Sequence, residues 1–282
     1  MIFENARAKI NLTLDVLGKR EDNYHEVEMI MQTVDLCDYL TFEERQDGQI
    51  VVRCQAPFIP NDERNLAWQA ADALRIACSV QKGVTIEIDK RIPVAAGLAG
   101  GSADAAAVLR GLNRLWQLGL TDDELAVIGA KVGSDVPFCI YGGTAIVRGR
   151  GEVVEPIDVK PCFWVILVKP AIAVSTADVY RALRLDQIVV RPQTQSMIEA
   201  IESADIGKMQ EAMGNVLEAV TLSMHPEIDK IIAHLVRLGG QMVRMSGSGP
   251  TVFAIVTREQ RAKRIYHEIK SDYKEVYLCR TC

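Results

Sequence analysis

The sequence predicts an α+β protein in two parts, and three patterns carry that expectation. The first 53 residues hold strand-like alternation with short polar turns. A strand, a glycine-rich connection and an alanine-rich helix follow between residues 84 and 118. Beyond a stretch near 152–162 flanked by Pro156 and Pro161, the order becomes strand, helices, two strands, helix, strand. That last order is the pattern of a split βαβ sandwich.

In the first segment Ala8, Ile10, Leu12 and Leu14 share one face, and Arg7, Lys9, Asn11 and Thr13 the other. This predicts a half-buried strand that sets Lys9 and Asn11 side by side. Gly18 to Asn23 is a charged turn, and Tyr24-His25-Glu26-Val27 begins the return. Tyr39–Glu43 and Ile50–Arg53 predict a second strand pair about an Asp47-Gly48 turn. Asn65 to Ala77 is helical by pattern, and Thr121 caps a helix whose first turn holds Asp122, Asp123 and Glu124. Phe163 to Lys169 is a strongly apolar strand. Helices are expected at about 175–184, 195–203, 206–220 and 226–238, strands at about 241–246 and 250–256, then a helix at 258–271 and a strand at 275–279.

Between the strand Val84–Asp89 and the helix from Ala103 lies Pro93-Val94-Ala95-Ala96-Gly97-Leu98-Ala99-Gly100-Gly101-Ser102. Small residues let backbone N–H groups approach a bulky anion, and a helix N-terminus adds partial positive charge. Ser102 suits an N-cap, and its hydroxyl could also meet a phosphate or a metal-bound oxygen. The P-loop pattern is absent, because no lysine lies between Pro93 and Arg110. The dinucleotide pattern fails too: counting from Gly97 puts Ala99 and Ser102 where glycines are needed. The expectation is a phosphate cradle of another kind, with a simple packing turn as the competing reading.

Composition narrows the partners. A chain of 282 residues, 49% hydrophobic and 24% charged, suits a globular protein with a large core or two domains. A net charge of −5 argues against a phosphate-backbone binder, so no nucleic-acid partner is expected. No apolar run approaches a membrane span, and Glu4, Arg7 and Lys9 come too early for a signal peptide. No membrane association and a cytoplasmic location are therefore expected. Seven scattered cysteines fit reduced thiols, and the terminal Cys279-Arg280-Thr281-Cys282 lacks the second pair a structural zinc needs. It reads as a frayed tail.

Asp135 sits in Gly133-Ser134-Asp135-Val136-Pro137-Phe138, a carboxylate in a turn among apolar neighbours. It is either an Asx-turn or helix-cap aspartate or a group held beside a hydroxyl nucleophile. Lys9 is either a solvated strand lysine or a cation placed to neutralise a moving phosphoryl group. Ser246-Gly247-Ser248-Gly249-Pro250-Thr251 is either a hairpin turn or a second backbone surface for phosphates or substrate.

Taken in order, these features resemble the small-molecule kinases of the GHMP superfamily over essentially the whole chain. The residues carrying the likeness are Ala8-Lys9-Ile10-Asn11-Leu12, Asp22-Asn23-Tyr24-His25, Asn65-Leu66, Asp89-Lys90-Arg91-Ile92-Pro93, Gly97–Ala106, Gly133–Pro137 and Gly247-Ser248-Gly249. Within the superfamily, the Lys-Ile-Asn-Leu strand with Tyr-His downstream is similar to the branch acting on a cytidine diphosphate-linked polyol in isoprenoid precursor synthesis. The resemblance implies an N-terminal domain like domain 2 of ribosomal protein S5, residues 1–155, binding ATP, and a ferredoxin-like α/β sandwich, residues 156–282.

It also implies the site. Pro93, Val94, Ala95, Ala96, Gly97, Leu98, Ala99, Gly100, Gly101, Ser102, Ala103 and Asp104 would surround ATP, with Asn65, Lys90 and Val94 on the adenine side. Asp135 would be the base toward the 2-hydroxyl of the polyol, with Lys9 stabilising charge. Tyr24 and Tyr180 would sandwich the cytosine, His25 would read its edge, and Asn11 and Thr176 would hold the sugar-phosphate portion. Mg2+ would ride mostly on ATP oxygens, with Ser102 as its protein ligand. A monomer or weak homodimer is expected. Homoserine or mevalonate kinases would not need Tyr24, His25 and Tyr180, and a non-catalytic sensor would not need Lys9 and Asp135. An RNA-binding role, suggested by the S5-like half, conflicts with the acidic balance. Three positions depart from the pattern: Ala99 stands for a common glycine, Asn23 replaces a glycine in the turn before Tyr24, and Tyr180 stands where phenylalanine also occurs.

Overall fold

A computed structural model describes residues 1–56, 58–159 and 162–282. The Pro161 side of the expected boundary lies outside the described residues. The elements, in chain order, are β1 (Ile2–Lys19), β2 (His25–Arg45), β3 (Ile50–Cys54), α1 (Leu66–Ala77), β4 (Gly83–Asp89), α2 (Gly100–Leu115), α3 (Asp122–Gly129), α4 (Val136–Tyr141), β5 (Thr144–Gly149), β6 (Val153–Ile157) and β7 (Trp164–Lys169). They continue with α5 (Thr176–Ala182), α6 (Thr194–Glu202), α7 (Ile206–Ala212), β8 (Gly214–Asn215), α8 (Glu218–Met224), α9 (Glu227–Leu238), β9 (Gln241–Met245), β10 (Val252–Val256), α10 (Glu259–Ile269) and β11 (Glu275–Arg280).

These elements group into two compact units, each drawn from separate stretches of chain. One comprises Met1–Ala8, Leu36–Val94 and Ala99–Gly142; the other comprises Lys9–Asp35, Ala95–Leu98 and Gly143–Cys282. No helix among the described residues is long and apolar enough to cross a membrane.

In the first unit, β4 runs antiparallel to the end of β2, from Tyr39 opposite Asp89 to Arg45 opposite Gly83. Its other edge pairs in parallel with β3, Ile50 opposite Val84 through Cys54 opposite Ile88. The expected pairing of Tyr39–Glu43 with Ile50–Arg53 is therefore corrected: β4 lies between them. The chain leaves β3, passes through α1 and returns as β4, a parallel βαβ connection. Val84, Ile86 and Ile88 are buried, so β4 belongs in the sheet interior, where it excludes a local hairpin. Helix α2, whose Ala105, Ala106, Val108, Leu109 and Leu112 are buried, packs against α1 and α4.

The second unit contains a four-stranded antiparallel sheet in the order β11-β7-β10-β9. Numbered from β7, that is the 4-1-3-2 order of a ferredoxin-like sandwich, as expected. Helices α9 and α10 cover it through Ile228, Ile231, Leu235, Ala262, Ile265 and Ile269 over Ile166, Val168, Val243 and Val252. The first part of β2 pairs antiparallel with β5, Val27 opposite Gly149 through Gln32 opposite Thr144, and β5 pairs with β6.

Three further expectations are corrected in this unit. The single helix foreseen over 206–220 is two, α7 and α8, because Gly214 and Asn215 leave the helical path. They pair in parallel with Thr13 and Leu14 of β1. The C-terminus is not frayed: Val34 bridges Thr281, and the Cys282 N–H donates to Thr33 O at 3.1 Å. Finally, the polar face of β1 is not solvated. Lys9, Asn11 and Thr13 are 4%, 2% and 0% exposed, so β1 is covered on both faces there.

Candidate active site

The strand face that carries Lys9 is buried, so its ammonium must find oxygen partners within the fold. It donates to Asn11 Oδ1 at 2.8 Å and to Gly97 O at 3.3 Å. Asn11 in turn donates to the Met29 sulfur at 3.4 Å. The two-residue strand repeat predicted this juxtaposition of Lys9 and Asn11. The Lys9 backbone N–H also donates to Leu98 O at 3.2 Å, fastening this part of the glycine loop along β1.

Gly97 is where the loop meets the Ser246–Pro250 turn. Its φ is +75°, and a Cβ there would stand 2.3 Å from Ser246 O and 2.9 Å from Gly249 O. Only glycine satisfies both the left-handed backbone and the close approach. The Ser246 hydroxyl donates back to Gly97 O at 3.0 Å, and the Thr251 N–H donates to Ala96 O at 3.4 Å. The two Gly/Ser segments singled out in the sequence therefore form one backbone surface around Lys9. In the same unit Thr176, in the first turn of α5, exchanges a hydroxyl hydrogen bond of 2.7 Å with Ser248.

The aromatic candidates are also in this unit. His25 and Tyr180 stack at 5.1 Å between centroids with a 36° tilt. Tyr24 is 52% exposed, and the Arg150 guanidinium lies 5.0 Å over its ring. Burial, reinforced by the nearby Lys19 ammonium, lowers the His25 pKa, favouring the neutral imidazole with one donor and one acceptor. Asn23, which turns the chain into Tyr24, sits at φ +67°, a conformation asparagine tolerates.

The first unit holds the remaining candidates. Helix α2 starts at Gly100, not at Ser102, and its cap is Ala99 at φ 56° and ψ 29° with no side-chain cap hydrogen bond. The expected Ser102 N-cap is thus corrected: Ser102 lies inside the first turn. The first helical hydrogen bond is Ala103 N–H to Ala99 O, 2.8 Å. The N–H groups of Gly100, Gly101 and Ser102 therefore precede the helical ladder, at the positive end of a 16-residue helix. Ala99 adopts the left-handed backbone that its place in the pattern foreshadowed, and Ala95 does the same at φ 50°. Pro93 and Leu98 are buried, whereas Val94 is 44% exposed.

Lys90 and Asp104 point into the protein rather than outward. The Lys90 ammonium donates to Asp104 Oδ2 at 2.7 Å and to Asp38 Oδ2 at 2.5 Å, with all three side chains at most 5% exposed. Asp38 Oδ1 accepts from the N–H groups of Arg91 and Ile92, at 2.5 and 2.7 Å. Burial, aided by the Asp38 carboxylate and opposed by Lys90, pushes the Asp104 carboxyl up to about 8. Burial alone would lower the Lys90 pKa, but the two carboxylates outweigh it and raise it. Asp38 went unnoticed in the sequence because it sits mid-strand, 52 residues before its lysine. Asn65 is the N-cap of α1: its Oδ1 accepts from Ala67 N–H at 2.9 Å while its Nδ2 donates to Pro60 O at 2.7 Å.

Asp135 occupies the cap position of α4 with φ −83° and ψ −7°, and its side chain makes no cap hydrogen bond. The helix-cap reading of this carboxylate therefore fails. Val136, Pro137 and Phe138, which follow it, are all buried and fix the turn that carries it.

Comparisons with known proteins bear on this arrangement. The model of the GHMP kinases N-terminal domain matches residues 65–143, and that of the GHMP kinases C-terminal domain matches residues 197–275. A 4-diphosphocytidyl-2-C-methyl-D-erythritol kinase of Brevibacillus brevis is 55% identical over 279 residues, 99% of this chain and 96% of that protein. The enzyme of the same name from Bacillus mycoides is 54% identical over the same span. A solved structure of a 4-(cytidine 5'-diphospho)-2C-methyl-D-erythritol kinase superposes with a TM-score of 0.85 at 31% identity, covering 99% of both chains. A homoserine kinase from Cytophaga hutchinsonii shares the fold, with a TM-score of 0.80 at 19% identity over 98% of this chain and 93% of its own. With buried Lys9, the joined Gly/Ser surface and the uncapped α2 N-terminus in place, this chain belongs to the GHMP kinases.

Proposed function

We propose that this protein transfers the γ-phosphoryl group of ATP to the 2-hydroxyl of 4-diphosphocytidyl-2-C-methyl-D-erythritol, releasing ADP. The likeness that favours this acceptor is the full-length identity of 54–55% to kinases named for it. The matches to homoserine and mevalonate kinases, at 19% identity, speak for the fold alone. The observation that carries the chemistry is the buried Lys9 ammonium held by Asn11 and Gly97 O, where a fixed positive charge can stabilise a transferring phosphoryl group.

In this reading the N–H groups of Gly100, Gly101 and Ser102 receive phosphate oxygens at the α2 N-terminus. Asp135 accepts the proton of the attacking 2-hydroxyl, and Lys9 neutralises charge developing on the phosphoryl oxygens. Tyr24 and Tyr180 offer flat partners for the cytosine, and the neutral His25 imidazole beside Tyr180 can both donate to and accept from the base's edge. Asn11 and Thr176 complete the acceptor side. Asn65 and Lys90 act on the nucleotide through their backbones and the segments they fix, since their side-chain bonds are spent internally.

Magnesium needs only one or two protein oxygens when a nucleotide supplies the rest. The Ser102 hydroxyl, in the first turn of an uncapped helix, fits that requirement, and the ion would offset charge on the β- and γ-phosphates. We further propose that residues 1–155 form the ATP-binding domain and 156–282 the C-terminal domain. The two family matches fall on either side of that division.

Asp135→Asn tests the assignment. ATP binding measured by calorimetry is expected within two-fold of the parent, while ADP release falls by about 10²-fold or more, the range of a lost general base. A variant with unimpaired turnover would remove Asp135 from this role.

A further inference from the structure

The Ser246–Gly249 turn that meets Lys9 is held from behind by a short segment, Asn215 to Thr221. Asn215 Nδ2 donates to two carbonyls of the turn's approach, Met245 O at 2.9 Å and Gly247 O at 2.7 Å. Its Oδ1 accepts from the Leu217 N–H at 3.0 Å, so the amide is orientated unambiguously by its partners. In the first turn of α8, three residues after Glu218, the Thr221 hydroxyl lies within 3.2 Å of both Leu217 O and Ser248 O. Glu218, whose carboxyl burial raises in pKa, accepts the Met245 N–H at 2.7 Å. The turn is therefore gripped at 245, 247 and 248.

The same segment is fastened to the strand that carries Lys9. Gly214 and Asn215 pair with Thr13 and Leu14, and the Val216 N–H donates to Leu14 O at 3.0 Å. At the front of the turn, Gly247 has φ +60°, and a Cβ built there would lie 3.5 Å from both Lys9 Nζ and Asn11 Oδ1. Asn215 thus spans from β1 to the turn that walls in the Lys9 ammonium, closing a loop of contacts: β1, Asn215, Gly247, Lys9.

We propose that Asn215 is a positioning residue for phosphoryl transfer, fixing the Ser246–Gly249 backbone against Lys9, with Thr221 and Glu218 in support. It touches neither reactant; it acts by holding the carbonyls that set where Gly247 lies. The inference rests on the phosphotransfer reading above.

The test compares Asn215→Ala, Asn215→Asp and, as a control for stability alone, Ile231→Val in the core beneath the four-stranded sheet. Asn215→Ala is expected to lower kcat about ten-fold or more with KM for ATP and acceptor within three-fold. Ile231→Val is expected to lower Tm while leaving kcat at the parent value. Asn215→Asp presents a carboxylate to two carbonyl oxygens, so its kcat is expected to recover as pH falls and the protonated carboxyl donates again. Amide exchange at residues 246–249 in the unliganded protein is expected to quicken about ten-fold in Asn215→Ala. Parental kcat in Asn215→Ala, or a kcat loss that Ile231→Val reproduces, overturns the proposal. Should Asn215→Ala not fold, Thr221→Val is read in the same assays, and parental kcat and exchange there count against it. If the parent protein itself shows no ATP-dependent turnover, the phosphotransfer reading fails, and unchanged exchange at 246–249 would separately refute the grip.

Discussion

Replacing Lys90 with Met removes the cation from a cluster in which Asp38 and Asp104 are buried. The three side chains are no more than 5% exposed, so water cannot take over from the lost ammonium. Breaking a buried ion pair by deleting one partner costs about 3–5 kcal/mol. The lower end applies here, because Asp38 Oδ1 keeps its two backbone donors at 2.5 and 2.7 Å. At about 2–4 °C per kcal/mol for a chain of this size, Tm should fall by about 6–12 °C.

Asp104→Asn should behave differently. Burial pushes the Asp104 carboxyl up to about 8, so an amide of the same shape gives up less charge than it would at an ordinary carboxylate, while still accepting from Lys90. The expected loss is under about 1 kcal/mol at pH 7. Because the folded value lies above the ordinary 3.8, the folded state binds more protons between pH 4 and about 8. The stability from this group is full below about pH 4 and is lost as pH rises through 8. Asp104→Asn removes that slope, so its stability relative to the parent should rise toward pH 9. Thermal and urea unfolding followed by circular dichroism at pH 7 and pH 9 measures both. Lys90→Met within 1 kcal/mol of the parent, or Asp104→Asn as damaging as Lys90→Met, would contradict this picture of the cluster.

Further outcomes follow from the loops and the aromatic pair. Gly97→Ala forces a Cβ to 2.3 Å from Ser246 O at φ +75°; about 1–2 kcal/mol from the backbone alone, plus the clash, should appear as lost stability and ADP release, read by unfolding and coupled assay. Ala99→Gly relieves a left-handed alanine at φ 56° and should gain about 0.5–1 kcal/mol after the greater unfolded-state freedom of glycine, measured by urea unfolding. Since burial and Lys19 lower the His25 pKa, KM for the cytidine acceptor should stay flat from pH 8 to 6.5 and rise only below that, where the imidazole gains its proton. A KM that rises already above pH 6.5 would contradict a neutral His25.

Much of the site was legible because its chemistry lies in local residue order. Lys9 and Asn11 are two apart on a strand, so alternation placed them together, and Gly97 stood in a glycine-rich segment between a strand and a helix N-terminus. Ala99 was legible as a departure, and its backbone is left-handed. What alternation could not show was burial on both faces of β1, since lysine and asparagine read as solvated until a second layer covers them. The β4 insertion was hidden because Asp47-Gly48 is a local hairpin signal, while the winning partner arrives through a 12-residue helix. Lys90 and Asp104 stand next to the phosphate loop in sequence, and local order does not show that the Lys90 ammonium joins Asp104 to the distant Asp38 inside the fold. Asn215 was lost within an apparently continuous helix over 206–220, because strand pairing to β1 is a tertiary event that helical periodicity does not record.

Every role given to the site residues depends on phosphoryl transfer to a cytidine diphosphate-linked polyol. Its most direct test is coupled ADP release with ATP and, in parallel, 4-diphosphocytidyl-2-C-methyl-D-erythritol, mevalonate and homoserine. ADP release with the cytidine substrate alone is the expected result; release with mevalonate or homoserine but not with the cytidine substrate would contradict it.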